Sequence, residues 1–226
     1  MPRTRRILPQ SDAALHVTAR GNNQLYLFRK DPDKEFYLHK VKELKDENRI
    51  DIFHYCLMSN HVHMVVWMEK ESNLSRFMKQ LQLKYYNYYK SVYGYTGHLW
   101  QGRFKSNIID NDIYLLQCGK YIELNPVRAS MVATPAAYAF SSYRYYAHGE
   151  QDHLITPSPE YLSLSNTDKG RRKQYAKFLL DSEMINTKKL QTQLFIGSDA
   201  FIRNLEEHYQ VRNVSLQHGR PKKSGK

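Results

Sequence analysis

Cysteine is scarce in this sequence of 226 residues, and long apolar runs are absent from it. The two cysteines, Cys56 and Cys118, belong to no Cys-x-x-Cys or Cys/His spacing, which argues against a structural zinc and fits a reducing compartment. The longest apolar run, Met64–Met68, is far shorter than the roughly 18 residues of a membrane span. The basic start, Met1–Arg6, is not followed by the apolar stretch of a signal peptide. We therefore expect a soluble, cytoplasmic protein.

Acidic residues are also few compared with basic ones. The chain has 22 Asp and Glu against 34 Lys and Arg, a net charge of +12 and a pI of about 9.5. Such a balance favours a polyanionic partner, with nucleic acid ahead of an anionic membrane surface. From Thr167 onward there are thirteen Lys and Arg against six Asp and Glu, so this part forms a separate basic unit. Eighteen tyrosines supply rings for stacking on unpaired bases, although most are expected to be ordinary core and surface residues.

The apolar spacing predicts an α+β domain. The predicted elements are strands over 15–20, 50–57, 61–68 and 103–109, and helices over 31–49, 73–94 and 110–124. The second and third strands are expected to form a hairpin, and Pro126 is expected to stop the last helix. This β-α-β-β-α-β-α order is that of a ferredoxin-like fold, in which helices pack on one face of an antiparallel sheet.

Three segments are predicted along the chain. Residues 1–150 form the α+β domain, and 130–166 are an irregular wrap over it. Residues 151–212 form a basic C-terminal extension with helices over about 168–190 and 198–210. Residues 213–226 form a basic flexible tail.

His61 and His63 begin an apolar strand with Val62 between them. Residues i and i+2 of a strand point to the same face, so the two imidazoles can converge on one ion while Val62 faces the core. The alternative is a pair of histidines that cap the hairpin or form local hydrogen bonds. This pair alone does not decide between a metal site and a structural role.

Tyr121 and Asn125 share one face of the last predicted helix, with Gln117 one turn earlier. Asn125 precedes Pro126, which disfavours further helix, so its amide oxygen lies at a helix end where it can reach a cation. If this helix crosses the histidine strand, two imidazoles, an amide oxygen and a phenol meet at one ion. The alternative is a core tyrosine followed by a capping asparagine.

Three motifs carry a resemblance to a known family. They are Ser59–His63 (SNHVH), Gly97–Lys105 (GHLWQGRFK) and Tyr121–Ala129 (YIELNPVRA). In this order they resemble the REP-associated tyrosine transposases, relatives of the small single-tyrosine HUH transposases of bacterial insertion sequences. The resemblance runs from about His16 to Tyr146. It implies an HUH fold, with the histidine pair on a central strand and the tyrosine on a nearby helix.

The resemblance also implies a set of roles. Tyr121 is the expected nucleophile, and His61, His63 and Asn125 are the expected ligands of Mg²⁺ or Mn²⁺; insertion-sequence relatives often have glutamine in place of Asn125. Two neutral imidazoles and an amide leave the charge of a hard ion uncancelled and positions open for phosphate. Attack by Tyr121 gives a 5′-phosphotyrosine link and a free 3′-OH, so strand transfer needs no ATP.

Single-stranded DNA with hairpin-forming palindromic repeats is the implied substrate. Candidate DNA-binding residues are Arg20, Arg103, Lys105, Lys120, Arg128 and Arg220. The last of these belongs to Gly219–Lys222, which resembles the core of an AT-hook that lies in the minor groove. A plain basic tail is the alternative reading.

Two other functions fit parts of the sequence. A catalytically inactive protein that binds or regulates the repeats would keep the fold and the basic surface. A metal-dependent hydrolase using water would need a carboxylate base beside the histidines, and none is placed there. The sequence leaves open whether Tyr121 serves its own chain or a partner, and so whether the protein is a monomer or a homodimer.

Overall fold

The computed structural model describes residues 7–9, 12–110, 113–180, 190 and 192–213. The strands are β1 (Ala13–Arg20), β2 (Ile50–Met58), β3 (His61–Met68), β4 (Lys105–Ile109) and β5 (Phe195–Ile196). The helices are α1 (Asp31–Glu47), α2 (Leu74–Tyr93), α3 (Ile113–Glu123), α4 (Asn125–Arg128), α5 (Tyr143–His148), α6 (Pro159–Ser163), α7 (Asp168–Leu180) and α8 (Asp199–Tyr209), with 3₁₀ turns at Asn22–Gln24 and Pro135–Ala137. Within these residues, no helix combines the length and apolarity that crossing a membrane requires.

The strands form one five-stranded sheet in the order β2-β3-β1-β4-β5. The predicted α+β class is confirmed, and β1 to β4 pair antiparallel as expected. One correction concerns β5, which lies parallel to β4 and makes the sheet mixed. This strand comes from the C-terminal extension, where Asn213 holds it: the Asn213 amide oxygen accepts from the backbone N–H groups of Leu194 and Phe195.

Helices cover both faces of the sheet. Helices α1 and α2 pack on one face, against side chains that include Leu15 and Val62. The expectation of helices on one face holds for these two, but α3 lies on the opposite face, where Cys118 and Ile122 pack near Cys56. Strands β2 and β3 are buried at nearly every position, which is the pattern of a strand covered on both sides.

A buried polar network fixes the end of α3 to the rest of the fold. The Glu123 carboxylate accepts hydrogen bonds from the hydroxyls of Ser142, at 2.6 Å, and Tyr175, at 2.9 Å. It also lies 3.0 Å from Nδ1 of His54 on β2. Gly119 leaves room for this histidine, since an added Cβ would lie 2.6 Å from the His54 ring. The network therefore joins α3 to β2, to α7 and to the segment before α5.

We expect Glu123→Ala to lower the free energy of unfolding by at least about 2 kcal/mol. The substitution leaves the buried Tyr175 hydroxyl and Nδ1 of His54 without a partner, and each such group costs about 1–3 kcal/mol. Ser142 loses one hydrogen bond but keeps its contact with the backbone of Tyr55. Urea denaturation followed by circular dichroism measures the change. The matched control is Glu47→Ala on the exposed side of α1, which should change stability by no more than about 0.5 kcal/mol. Equal stabilities of the two variants would contradict the role of the network.

Candidate active site

The two histidines of β3 share the face of the sheet that α3 covers. His63 is paired with Thr18 of β1 and Cys56 of β2, whereas His61 is paired with Arg20 and Met58. The two imidazole centroids lie 4.8 Å apart, with the rings nearly perpendicular. Val62 is buried on the opposite face. The predicted alternation along this strand is therefore confirmed.

Each of the two imidazoles has one nitrogen engaged within the protein. Nδ1 of His61 lies 2.6 Å from the amide oxygen of Asn60, and Nδ1 of His63 lies 2.9 Å from Nε2 of His16. Among the residues that the structure describes, neither Nε2 forms a hydrogen bond. Metal-binding histidines have this arrangement, in which the outer nitrogen is held and the inner one is left for the ion. The donor set therefore fits a divalent cation.

Burial keeps both imidazoles neutral. It lowers the pKa of His61 to about 4, and the nearby charge of Arg20 contributes to the same shift. Burial also lowers the pKa of His63 well below its usual value, with smaller contributions from His16, His61 and Arg128. Because a neutral imidazole offers a lone pair, both rings are in the form that binds a cation at pH 7.

Helix α3 brings the Tyr121 ring against the histidines of the same chain. The ring centroid lies 5.8 Å from that of His63 and 6.1 Å from that of His16, edge-on in both cases. Tyr121 is 5% exposed. Its hydroxyl forms no hydrogen bond within the described part of the chain. A phenol and an imidazole pair therefore meet without a second copy of the chain.

Helix α3 stops before Pro126, as predicted, but a second, short helix follows it. Helix α3 ends at Glu123, and the short helix α4 begins at Asn125 with Pro126 in its first turn, where proline is tolerated. The Asn125 amide oxygen accepts a hydrogen bond from the guanidinium of Arg128 at 3.1 Å. The Asn125 Nδ2 is buried and has no partner among the described residues. Its role as a metal ligand stays a prediction.

Arg128 also lies over the Tyr121 ring. The centre of its guanidinium is 4.3 Å from the ring centroid, and the same group donates a hydrogen bond to the Tyr121 carbonyl. This contact is a cation–π interaction, which holds the guanidinium against the ring. Arg128 therefore lies beside the phenol, where its N–H groups can also contact a phosphate.

Comparison with known proteins assigns the chain to a family. The family model described as IS200-like transposase matches residues 9–125, which is more than half of the chain and includes the strands β1 to β4 and helix α3. The chain belongs to the IS200-like transposase family. No curated protein matches this transposase.

Two solved structures match this chain. A REP-associated tyrosine transposase bound to a REP hairpin is similar, with a TM-score of 0.56 and 19% identity, over 70% of this chain and 93% of that one. A putative transposase from Deinococcus radiodurans R1 also matches, with a TM-score of 0.38 and 12% identity, over 58% of this chain and 92% of that one. At 19% identity, the first of these supports the fold assignment of this transposase.

Three of the predicted DNA-binding residues lie exposed near the histidine end of the sheet. Arg20 ends β1 opposite His61, and its carbonyl accepts from the N–H of Gln101. Lys105 begins β4 opposite Thr18, so its Cα is two strand spacings, roughly 10 Å, from that of His63. Arg103 is exposed on the segment just before β4. These three cations lie at the same end of the sheet as the candidate active site of the transposase.

Lys120 requires a correction. It is 1% exposed, and its ammonium group donates a hydrogen bond to the Phe178 carbonyl at 2.8 Å. Helix α7 of the C-terminal extension covers this side of α3, so Lys120 is not on a solvated face and cannot reach DNA phosphates. Arg220 lies outside the residues that the structure describes, and its role stays a prediction.

His16 was not among the predicted site residues. It lies on β1, on the same face as His63, and it is buried. The sequence does show a polar residue inside an apolar strand, but the pairing that brings β1 beside β3 is a tertiary feature. Without that register, His16 has no visible partner.

Proposed function

We propose that this transposase cleaves and rejoins single-stranded DNA at hairpin-forming repeats, with Tyr121 as the nucleophile and a divalent ion held by His61 and His63. The observation that carries the proposal is the contact between the Tyr121 ring and His63 in one chain, beside two imidazoles whose Nε2 atoms have no hydrogen bond in the described residues. A phenol and a cation site next to each other are what a tyrosine-dependent phosphoryl transfer requires.

The residues present fit Mg²⁺ or Mn²⁺. His61 and His63 supply two neutral nitrogens, and the Asn125 amide oxygen is a hard ligand on the helix that follows the tyrosine. When bound, the ion supplies Lewis-acid stabilisation of a non-bridging phosphate oxygen and of the departing 3′ oxygen. The protein keeps no net negative charge in this ligand set, so the positive charge of the ion remains available to the substrate.

The reaction needs one covalent step in each direction. The Tyr121 oxygen attacks phosphorus in line, loses its proton, and forms a bond to the 5′ phosphate while the bond from phosphorus to the 3′ oxygen breaks. The 3′ oxygen takes up a proton and leaves as a hydroxyl. The reverse step, with a different 3′-OH as the nucleophile, joins two strands and regenerates Tyr121. The number of phosphoester bonds is unchanged, which removes the need for ATP.

Arg128 is suited to assist the tyrosine. Its guanidinium lies over the ring of the nucleophile, so its N–H groups can contact the phosphate that Tyr121 attacks. Movement of Arg128 toward phosphate would also release the Asn125 amide oxygen for the cation. One side chain thereby couples substrate binding to completion of the ligand set.

Exposed cations near the site support a hairpin substrate. Arg20, Arg103 and Lys105 lie at the end of the sheet that carries His61. A structurally similar transposase is bound to a REP hairpin, and we extend that substrate class to this chain. Contacts between basic side chains and stem phosphates give affinity without reading sequence.

A cavity beside this surface suits an unpaired base. It has a volume of about 540 Å³ and is lined by Tyr86, His98, Leu99, Trp100 and two glycines. The Trp100 indole is fixed by a hydrogen bond to the Gln82 carbonyl, and the Leu99 carbonyl accepts from the N–H of Asn22 just beyond β1. The aromatic lining therefore lies close to the histidine end of the sheet, where the unpaired flank of a hairpin would pass.

We expect Tyr86→Ala to weaken binding of a hairpin that has a single-stranded flank by about 1–3 kcal/mol, the range for loss of one base-stacking ring. Tyr86→Phe keeps the ring and should bind like the wild type. Fluorescence anisotropy with and without the flank measures the effect, which should vanish for the blunt hairpin. An equal loss for both DNAs would contradict stacking at this cavity.

A covalent adduct is the direct test of the proposed reaction. A hairpin oligonucleotide labelled at its 3′ end should leave its label on the protein after denaturation when Mn²⁺ is present. The same hairpin labelled at its 5′ end should release the label on a free fragment, since Tyr121 holds the 5′ phosphate of the downstream piece. Absence of any adduct with Mg²⁺ and Mn²⁺, despite hairpin binding, would favour the inactive DNA-binding alternative.

A further inference from the structure

His16 and His63 form a closely matched pair of buried imidazoles. Their rings are parallel within 9° with centroids 5.1 Å apart, and Nε2 of His16 lies 2.9 Å from Nδ1 of His63. The contact crosses from β1 to β3, where Thr18 is the residue directly opposite His63. The two rings therefore share one hydrogen bond inside the sheet face that α3 covers.

Only one proton can lie between these two nitrogens. Which of the two rings carries it decides whether Nε2 of His63 has a lone pair. If Nδ1 of His63 carries the proton, the Nε2 of that neutral ring has a lone pair and can bind a cation. If Nε2 of His16 carries it, the Nε2 of neutral His63 must be protonated and cannot bind. Metal binding at His63 thus requires that His16 accept the hydrogen bond.

We propose that His16 is a positioning residue for the metal site, which accepts the Nδ1–H of His63 and so presents the His63 Nε2 to the cation. The inference rests on the proposed function, because it needs the cation to be there. His61 offers a parallel on the same strand, since its Nδ1 lies 2.6 Å from the amide oxygen of Asn60. Each of the two ligating histidines then has its own acceptor.

The other nitrogen of His16 supports this role. Nδ1 of His16 is buried and has no hydrogen-bond partner among the described residues. A buried polar atom without a partner costs free energy, so a leucine or phenylalanine would suit a purely structural position better. The imidazole at this position is explained if its Nε2 is needed as an acceptor. The same ring also contacts the edge of Tyr121, at 6.1 Å between centroids.

Two substitutions separate acceptance of the hydrogen bond from packing. His16→Phe keeps a ring of similar shape against Tyr121 and His63 but removes the acceptor. His16→Gln lacks the ring, but its amide oxygen reaches about as far from the backbone as Nε2 does, so it can accept from His63. His39→Phe, on the exposed side of α1, is the matched control.

Mn²⁺ affinity without DNA is the readout, measured from the free Mn²⁺ signal in electron paramagnetic resonance titrations of the full chain. We expect His16→Phe to weaken binding about 10- to 100-fold, the effect of losing an outer partner of a ligating histidine. His16→Gln should recover most of this loss, and His39→Phe should bind like the wild type. Thermal melting of each variant without Mn²⁺ verifies that it is folded.

Each outcome bears on the proposal. Wild-type affinity in His16→Phe would overturn it, and so would a glutamine variant that binds no better than the phenylalanine variant, because packing alone would then account for His16. Absence of Mn²⁺ binding by the wild type would overturn both this inference and the proposed metal site. Binding by the wild type that is lost in His63→Ala, together with unchanged binding in His16→Phe, would leave the proposed function standing without this role for His16.

Discussion

Tyr121→Phe should abolish the covalent adduct with a 3′-labelled hairpin, a loss of at least about 10⁴-fold in the rate of adduct formation, the scale of removing a nucleophile. The substitution deletes one oxygen from a ring that packs edge-on against His16 and His63 and leaves those contacts in place. The variant should therefore fold and bind the hairpin like the wild type. Denaturing gel electrophoresis detects the covalent adduct, and fluorescence anisotropy measures the affinity for the hairpin.

Tyr114 provides the matched control for this experiment. It lies on the same helix, two turns before Tyr121, and it is half-buried. Tyr114→Phe should form the adduct at the wild-type rate. If Tyr121→Phe formed the adduct and Tyr114→Phe did not, the nucleophile would be Tyr114, and the assignment to Tyr121 would be wrong.

His61→Ala and His63→Ala should each lower the rate of cleavage by more than about 100-fold at a fixed low Mn²⁺ concentration. Loss of an outer partner of a metal ligand already costs 10- to 100-fold, so loss of the ligand itself should cost more. Initial rates over a range of Mn²⁺ concentrations measure the effect. Hairpin affinity in the presence of a chelator should be unchanged, because the phosphate contacts are assigned to other residues.

The control for the histidine variants is His39→Ala, which removes an exposed imidazole from α1, on the opposite face of the sheet from His61 and His63. It should cleave like the wild type at every Mn²⁺ concentration. Wild-type cleavage by both His61→Ala and His63→Ala would contradict the metal site. Equal loss of cleavage and of hairpin binding would show that the histidines support DNA binding and not the chemistry.

The order of the main elements could be predicted because it depends on local pattern. Alternating and near-helical apolar spacings marked β1 to β4 and the first three helices, and the spacing of His61 and His63 fixed their common face. The family motifs then pointed to Tyr121. These features need only neighbours within a few residues along the chain.

Features that depend on distant pairings were missed. The strand β5 has only two residues, and its position is set by β4 and Asn213. A strand this short has no apolar periodicity from which it could be predicted. Lys120 looked like a surface cation because the helix that covers it, α7, begins only at Asp168. Such a distant contact leaves no mark on the local sequence pattern. His16 gained a partner only through the register between β1 and β3.

The central claim is that Tyr121 and the histidines of one chain act together, and mixing two inactive variants tests it most directly. Tyr121→Phe and His63→Ala are incubated together with a 3′-labelled hairpin and Mn²⁺, beside wild-type protein at the same concentration. We expect the wild type to form the adduct and the mixture to form none, because neither variant has a complete site. Recovery of adduct in the mixture would contradict the account, since it would require Tyr121 of one chain to serve the histidines of another.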